Sequence, residues 1–176
     1  KLPALREVIA WFDEFSSSVG LDSYLSLSVY EITKYIHILE NFGIAGIDEM
    51  LTVFSDMLQS IWGDCAYIGH ISDERVAVVV HYQKDDDKDG ISQYLEEQNK
   101  RLLIETDKYY NTADKPYFLE LDYGYIVVEP GWKGSFENYL RLANSEMLLN
   151  RLKRDLMLSN SSRSVLWKHQ EVFQLL

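Results

Sequence analysis

The sequence is poor in cysteine: Cys65 is the only one among 176 residues. A single cysteine cannot form a disulfide within the chain, and this usage suits a reducing cytoplasmic compartment. Cys65 lies in an apolar run, which predicts a plain core role for its side chain rather than that of a nucleophile.

Basic residues are also scarce, with 17 lysines and arginines against 28 acidic residues and a formal net charge of −11. Nucleic acids and anionic membrane surfaces are bound by basic patches, so neither is an expected partner. No apolar run reaches the roughly 20 residues of a membrane span, and no basic segment followed by a hydrophobic stretch opens the chain. We therefore expect a soluble, cytoplasmic segment with no membrane contact.

The sequence is rich in hydrophobic residues, at 47% with 26% charged, as in ordinary globular domains. Apolar spacing predicts an amphipathic opening helix that stops at Gly20, a strand over 24–30, and a helix that ends at Gly43. A second helix follows directly, with a nearly unbroken apolar stripe. That stripe consists of Ile47, Met50, Leu51, Phe54, Met57, Leu58 and Ile61.

The second half of the chain continues with strand and helix signals. Strands are predicted over 65–71 and 75–82, and Val76 to Val80 is apolar on both faces, as in the interior of a sheet. An acidic loop leads to a helix over 91–103, and a strand follows over 117–128. Ser135 can cap the last long helix. Its C-terminal turns are predicted to carry Arg151, Lys153 and Arg154, where the helix dipole favours cations.

Two consecutive helices between the first strand and the hairpin predict an α+β fold. The expected architecture is a ferredoxin-like, nucleotide-cyclase-like βααββαβ sheet layered by helices, with an extra helix at each end. We assign 1–20 to a connecting helix, 21–157 to the domain, and 158–176, after a polar break at 159–164, to a helix that leads onward. A start without methionine and an end inside an apolar helix suggest a piece of a longer chain.

The predicted hairpin carries an acidic and basic turn, Ser72-Asp73-Glu74-Arg75-Val76. Together with several other strings in the same order, it resembles the GGDEF family of bacterial diguanylate cyclases, which join two GTP molecules into cyclic di-GMP. The other strings are Glu31-Ile32-Thr33-Lys34-Tyr35, Gly43-Ile44-Ala45-Gly46-Ile47-Asp48, Leu121-Asp122-Tyr123-Gly124-Tyr125 and Ala143-Asn144-Ser145-Glu146-Met147-Leu148.

The resemblance implies roles for individual residues. Glu31 and Glu74 take the magnesium positions, Asp48 takes a guanine contact, and Arg151 takes a phosphate-binding position. Four further residues depart from the family pattern, because a base-binding asparagine, two turn glycines and an acidic residue are replaced. These are Leu39, Ser72, Asp73 and Arg75. A register shifted by one residue would instead place Asp73 and Glu74 on the acidic pair.

The loss of these family residues favours a catalytically inactive GGDEF-like regulatory or interaction domain in a multidomain bacterial signalling protein. The resemblance implies sensor and effector neighbours, among them an EAL phosphodiesterase. If the domain acts as a relay, its amphipathic opening helix offers a seam for a homodimer. Three alternatives stay open: an active cyclase, a module that binds GTP with magnesium but does not turn it over, and a scaffold without a ligand. Glu31 and Glu74 could also be ordinary solvated charges at strand ends.

An acidic stretch over 85–96 has the spacing of an EF-hand calcium loop, with Gly90 sixth and Glu96 twelfth. A strand rather than a helix precedes it, and Ile91 falls at the seventh position. A solvated loop leading into a helix is therefore favoured over a calcium site, which remains an alternative.

Overall fold

The computed structural model describes residues 2–18, 22–83 and 85–173. The described residues form four long helices and four strands in the predicted order, so the α+β fold is confirmed. They are α1 (Leu5–Ser18), β1 (Leu25–Ile32), α2 (Tyr35–Trp62), β2 (Ala66–His70), β3 (Arg75–His81), α3 (Lys88–Thr112), β4 (Leu121–Val128) and α4 (Phe136–Phe173). The predicted helix stop at Gly20 lies outside the described residues. None of the described helices is long and apolar enough to cross a lipid bilayer.

The four strands form one antiparallel sheet in the order β2-β3-β1-β4. Strand β1 is central: it pairs with β3 from Leu25↔His81 to Glu31↔Arg75, and with β4 from Leu25↔Val128 to Ile32↔Leu121. This arrangement confirms the predicted βααββαβ sheet. It also places the end of β1 beside the start of β3 and the start of β4.

Both faces of the sheet are buried against helices. On one face, the first core joins the sheet to α2 and α3, and it includes Val76, Val78 and Val80 of β3. On the other face, the second core joins the sheet to α1 and α4, and it includes Ala77 and Val79. Alternate residues of one strand therefore serve opposite cores, which is why the run is apolar throughout.

Helix α2 is interrupted at Gly43, where φ is 68° and ψ is −169°. Only glycine adopts this backbone conformation readily, because a side chain would clash. The predicted pair of helices on either side of Gly43 is confirmed.

The opening helix α1 packs on the sheet through Val8 and Phe12, each about 1% exposed. Phe12 contacts the rings of Trp132 and Phe136, with centroid distances of 5.7 and 5.6 Å. These two side chains of the opening helix are therefore buried within the domain.

Some predicted boundaries are wrong. Strand β1 extends to Ile32, and β4 starts at Leu121 rather than at residue 117. Helix α4 continues through 159–164, because that polar stretch contains neither glycine nor proline. Cys65 ends a short 3₁₀ turn and is exposed, so its predicted core role is also wrong.

Candidate functional site

The hairpin turn that carries Ser72, Asp73 and Glu74 lies between His70 and Arg75. The backbone N–H groups of Ile71 and Ser72 both donate to the carbonyl of Arg75, at 3.0 and 3.3 Å. Ile32 donates to the carbonyl of Glu74 at 2.9 Å, which ties the turn to the end of β1. Among the described residues that are not glycine, only Asp114 has a positive φ. The backbone of this turn therefore does not need glycine at Ser72 or Asp73, where the resemblance expects it.

Glu31 is buried at the end of β1, with 8% of its surface exposed. Arg75 of the neighbouring strand donates to Glu31 Oε2 from both Nε and Nη2, at 2.5 Å each. Arg151 of helix α4 donates from Nη2 to Glu31 Oε1, also at 2.5 Å. Both carboxylate oxygens of Glu31 are thus bound by guanidinium groups.

Asp122 lies beside Glu31 on strand β4 and is 3% exposed. Its Oδ2 accepts from Nε of Arg151, and its Oδ1 accepts from Nη1 of Arg154. Arg151 therefore contacts two carboxylates from neighbouring strands. We call Glu31, Arg75, Asp122, Arg151 and Arg154 the arginine–carboxylate network.

Strand register explains how the network forms. Glu31 pairs with Arg75 on one side and with Asp122 on the other, so the three residues form one row across the sheet. Their side chains share the face of the second core, because they alternate with first-core residues along each strand.

Helix α4 covers this face closely because Gly124, two residues after Asp122, has no side chain. A Cβ at Gly124 would lie 2.6 Å from the Cα of Met147 and 2.7 Å from the carbonyl oxygen of Ala143. This close approach brings the next turn of α4, with Arg151, over Glu31 and Asp122.

Arg151 stays charged in this setting. Burial by itself lowers the pKa of its guanidinium, but hydrogen bonds and charge attraction from Glu31 and Asp122 outweigh burial, so the pKa of Arg151 is raised. The dipole argument for placing Arg151 at a helix end is wrong, because α4 continues to Phe173.

The remaining predicted residues lie around Tyr35, at the start of α2. The pKa of Tyr35 is raised, first by burial and then by the negative charges of Asp73, Asp48 and Glu74. Asp48 is exposed, with its side chain toward solvent, and Tyr35 packs against the first core. Asp48, Asp73 and Glu74 thus each contribute to the raised pKa of Tyr35, whereas the side chain of Glu31 lies on the other face of the sheet.

Leu39 packs against the first core, where the resemblance expects the base-binding asparagine. The structure thus gives this position an apolar role.

Magnesium does not fit Glu31 as it is arranged here. Two guanidinium cations already lie against its carboxylate, one on each oxygen, and they would repel a divalent cation placed beside them. Across the described ranges, no group of three or more His, Cys, Asp or Glu side chains is placed to hold a metal ion.

The calcium-like stretch has a different structure from an EF-hand loop. Helix α3 already begins at Lys88, and Asp87 caps it, with Oδ1 accepting from the N–H of Gly90 at 2.9 Å. Residues 88–96 are thus helical instead of wrapping around an ion. The acidic loop expected to reach Gly90 is shorter for the same reason.

Sequence reasoning missed Asp122 and Arg154 as members of the network. One signal was present in the sequence: an aspartate in a strand of otherwise apolar and aromatic residues. The spacing of Arg151 and Arg154, three residues apart on a helix, was a second signal, because such residues share a helix face.

No protein-family model matches the sequence, and the search of curated proteins found no match. Solved structures do match. The chain is similar to the GGDEF domain of FimX from Pseudomonas aeruginosa, with a TM-score of 0.64 and 14% identity over 83% of this chain and 86% of that one. It is also similar to the GGDEF domain of DgcB from Caulobacter crescentus in complex with c-di-GMP, with a TM-score of 0.68 and 12% identity over 86% of each chain. A third similar structure is the active GGEEF domain of a diguanylate cyclase from Vibrio cholerae, with a TM-score of 0.61 and 20% identity over 88% of this chain and 93% of that one.

Proposed function

We propose that this chain, which has the fold of the GGDEF domains, is a catalytically silent regulatory or interaction domain in bacterial cyclic di-GMP signalling. The observation that carries the proposal is the engagement of Glu31, since Arg75 and Arg151 bind both of its carboxylate oxygens. A cyclase of this fold would need that carboxylate for its magnesium ion.

The phosphate position supports the same proposal. Arg151 would have to contact a nucleotide phosphate, yet its guanidinium already contacts Glu31 and Asp122. Binding a phosphate there would take from each of two buried carboxylates one of the two arginines that contact it, which is unfavourable.

Charge at the turn also opposes a triphosphate. The turn carries two adjacent carboxylates, Asp73 and Glu74, and both of them help to raise the pKa of the nearby Tyr35. Without a bound divalent cation, these carboxylates repel phosphate groups.

The proposed setting is a larger cytoplasmic protein in which sensor and effector domains, such as an EAL phosphodiesterase, flank this one. Helix α4 is suited to reach such a neighbour, since exposed apolar side chains continue along it at Leu152, Leu156 and Met157. These side chains are 59%, 62% and 70% exposed.

A turnover assay tests the proposal. The purified chain is incubated with GTP and either Mg²⁺ or Mn²⁺, beside an active GGDEF diguanylate cyclase, and cyclic di-GMP is measured by chromatography. We expect product from the active enzyme only. Product formation by this chain that is lost in Glu74→Ala would establish the alternative, an active cyclase.

Calorimetric titration of GTP with Mg²⁺ tests the intermediate alternative. We expect no saturable heat from the wild-type chain or from Glu74→Ala. Saturable heat in the wild type alone, without turnover, would instead make the domain a nucleotide-responsive regulator.

A further inference from the structure

Glu31 and Asp122 are two buried acidic residues directly opposite each other on neighbouring strands. Like charges at opposed positions of a sheet destabilise the pair, and burial makes the repulsion stronger. A cation between them removes this cost.

Arg151 lies in that position. Its Nη2 donates to one oxygen of Glu31, and its Nε donates to one oxygen of Asp122. The second oxygen of Glu31 is held by Arg75, and the second oxygen of Asp122 by Arg154. Removing Arg151 would therefore free one oxygen on each carboxylate, facing the same space.

We propose that Arg151 is a tethered cation that takes the place of a divalent metal ion between Glu31 and Asp122. The end of β1 is then permanently neutralised by the chain itself, and divalent ions do not bind there. The same contacts join strands β1, β3 and β4 to helix α4, so the attachment of α4 to the β2–β3 hairpin needs neither metal nor nucleotide.

This inference deepens the proposed function, because it explains how the site is closed to magnesium. Its test contains no GTP, so it can fail while the domain is still silent. Conversely, turnover with GTP would contradict the proposed function. The effect of divalent ions on thermal stability would still test the inference by itself.

The test compares wild type, Arg151→Met and Lys153→Met by thermal melting in EDTA and in saturating MgCl₂ or MnCl₂. Methionine keeps the length and helix preference of the stem but removes the charge. Lys153 is an exposed residue of the same helix, so Lys153→Met is a matched control for the loss of one positive charge from an acidic protein.

We expect the melting temperatures of wild type and Lys153→Met to be the same with and without divalent ions. Arg151→Met should melt lower in EDTA by on the order of 10 °C, since two buried carboxylates lose the cation that lies between them and each keeps only one arginine. Mn²⁺ should restore roughly half of that loss. Replacing Asp122 by Asn in the Arg151→Met background should abolish the response.

Two results would overturn the inference: a wild-type chain that divalent ions stabilise as much as they stabilise Arg151→Met, or an Arg151→Met chain that responds no more than the Lys153→Met control. Arg151→Gln keeps one amide donor for the carboxylates and replaces the methionine variant if that variant does not fold. The same response to Mn²⁺ is required of it, and its absence counts against the inference in the same way.

Discussion

Tyr30 and Asn99 form a polar contact inside the first core. The hydroxyl of Tyr30 donates to Asn99 Oδ1 at 2.7 Å, and the two residues are 1% and 0% exposed. Burial raises the pKa of Tyr30 far above its ordinary value, so its hydroxyl stays protonated and available as a donor. The contact joins the central strand β1 to helix α3.

Tyr30→Phe should destabilise the domain by about 1–3 kcal/mol, because Asn99 loses its buried donor. The double variant Tyr30→Phe/Asn99→Leu should lose less than the sum of the two single variants, since both partners are then apolar. Urea unfolding of the four proteins measures this coupling. Additive losses would show that the hydrogen bond contributes nothing of its own.

His81, at the end of β3, controls a different property, the response of stability to pH. Its Nε2 lies 2.5 Å from the hydroxyl of Ser23, and burial lowers the pKa of the imidazole below its ordinary 6.5. The unfolded chain therefore binds a proton more readily than the folded one. The contribution of His81 is complete above the unfolded pKa and is lost as pH falls below it.

We expect the free energy of unfolding to fall between pH 7 and pH 5 more steeply in wild type than in His81→Gln. His37→Gln, at an exposed residue of α2, serves as the control and should keep the wild-type slope. Urea midpoints across this pH range provide the measurement. A steeper slope in His81→Gln than in wild type would contradict the assigned direction.

Among the helices, α3 shows how one residue sets a boundary. Asp87 caps its first turn, whereas Asp85 is exposed before the helix begins. An N-cap aspartate stabilises a helix by accepting from the free N–H groups of the first turn.

Asp87→Ala should lose about 1 kcal/mol of stability, and Asp85→Ala should lose almost none. A calcium loop would instead need both carboxylates, and the wild type would melt higher in CaCl₂. Thermal melting of wild type and the two variants, with and without CaCl₂, distinguishes a helix N-cap at Asp87 from a calcium-binding loop. Equal losses together with a calcium response would restore the EF-hand alternative.

The contact of α4 with β4 depends on Gly124. Gly124→Ala places a methyl group against the backbone of α4 at Met147 and Ala143, and backbone cannot move aside as a side chain can. We expect a loss of about 3 kcal/mol in urea unfolding. Unchanged stability would mean that α4 can shift outward without cost. The close approach at Gly124 would then not be what holds Arg151 over Glu31 and Asp122.

The domain as a whole has two hydrophobic cores that share one sheet. Phe54 is fully buried in the first core and Phe12 in the second, and alternate residues of β3 contribute to both. Disruption of either core should therefore disturb the strands on which the other core depends, so we expect the two cores to unfold together.

Phe54→Ala and Phe12→Ala should each cost about 3–5 kcal/mol and still show a single transition. Circular dichroism reports the helices, and fluorescence reports the four tryptophans, among them Trp62 in the first core and Trp132 in the second. Their midpoints should coincide in both variants. Separate midpoints would show that the cores are independent units.

Most of the fold could be predicted from local patterns. The apolar stripe of the helix after Gly43 and the two-sided apolar run of β3 identified their elements, because burial on one or both faces leaves a period in the sequence. Boundaries were less accurate. The polar stretch at 159–164 lacks any residue that ends a helix, and the strand β1 extends as far as its pairing partners allow.

The sequence by itself determined the order of elements and their layering in two cores, since spacing of apolar residues decides which faces must be buried. It also identified Glu31, Arg75 and Arg151 as positions of interest, through a resemblance that assigned them to different roles. Only the tertiary structure decided that these residues bind one another and Asp122. Glu31 and Arg151 are 120 positions apart, and strand pairing together with the close approach of α4 at Gly124 brings their charges together.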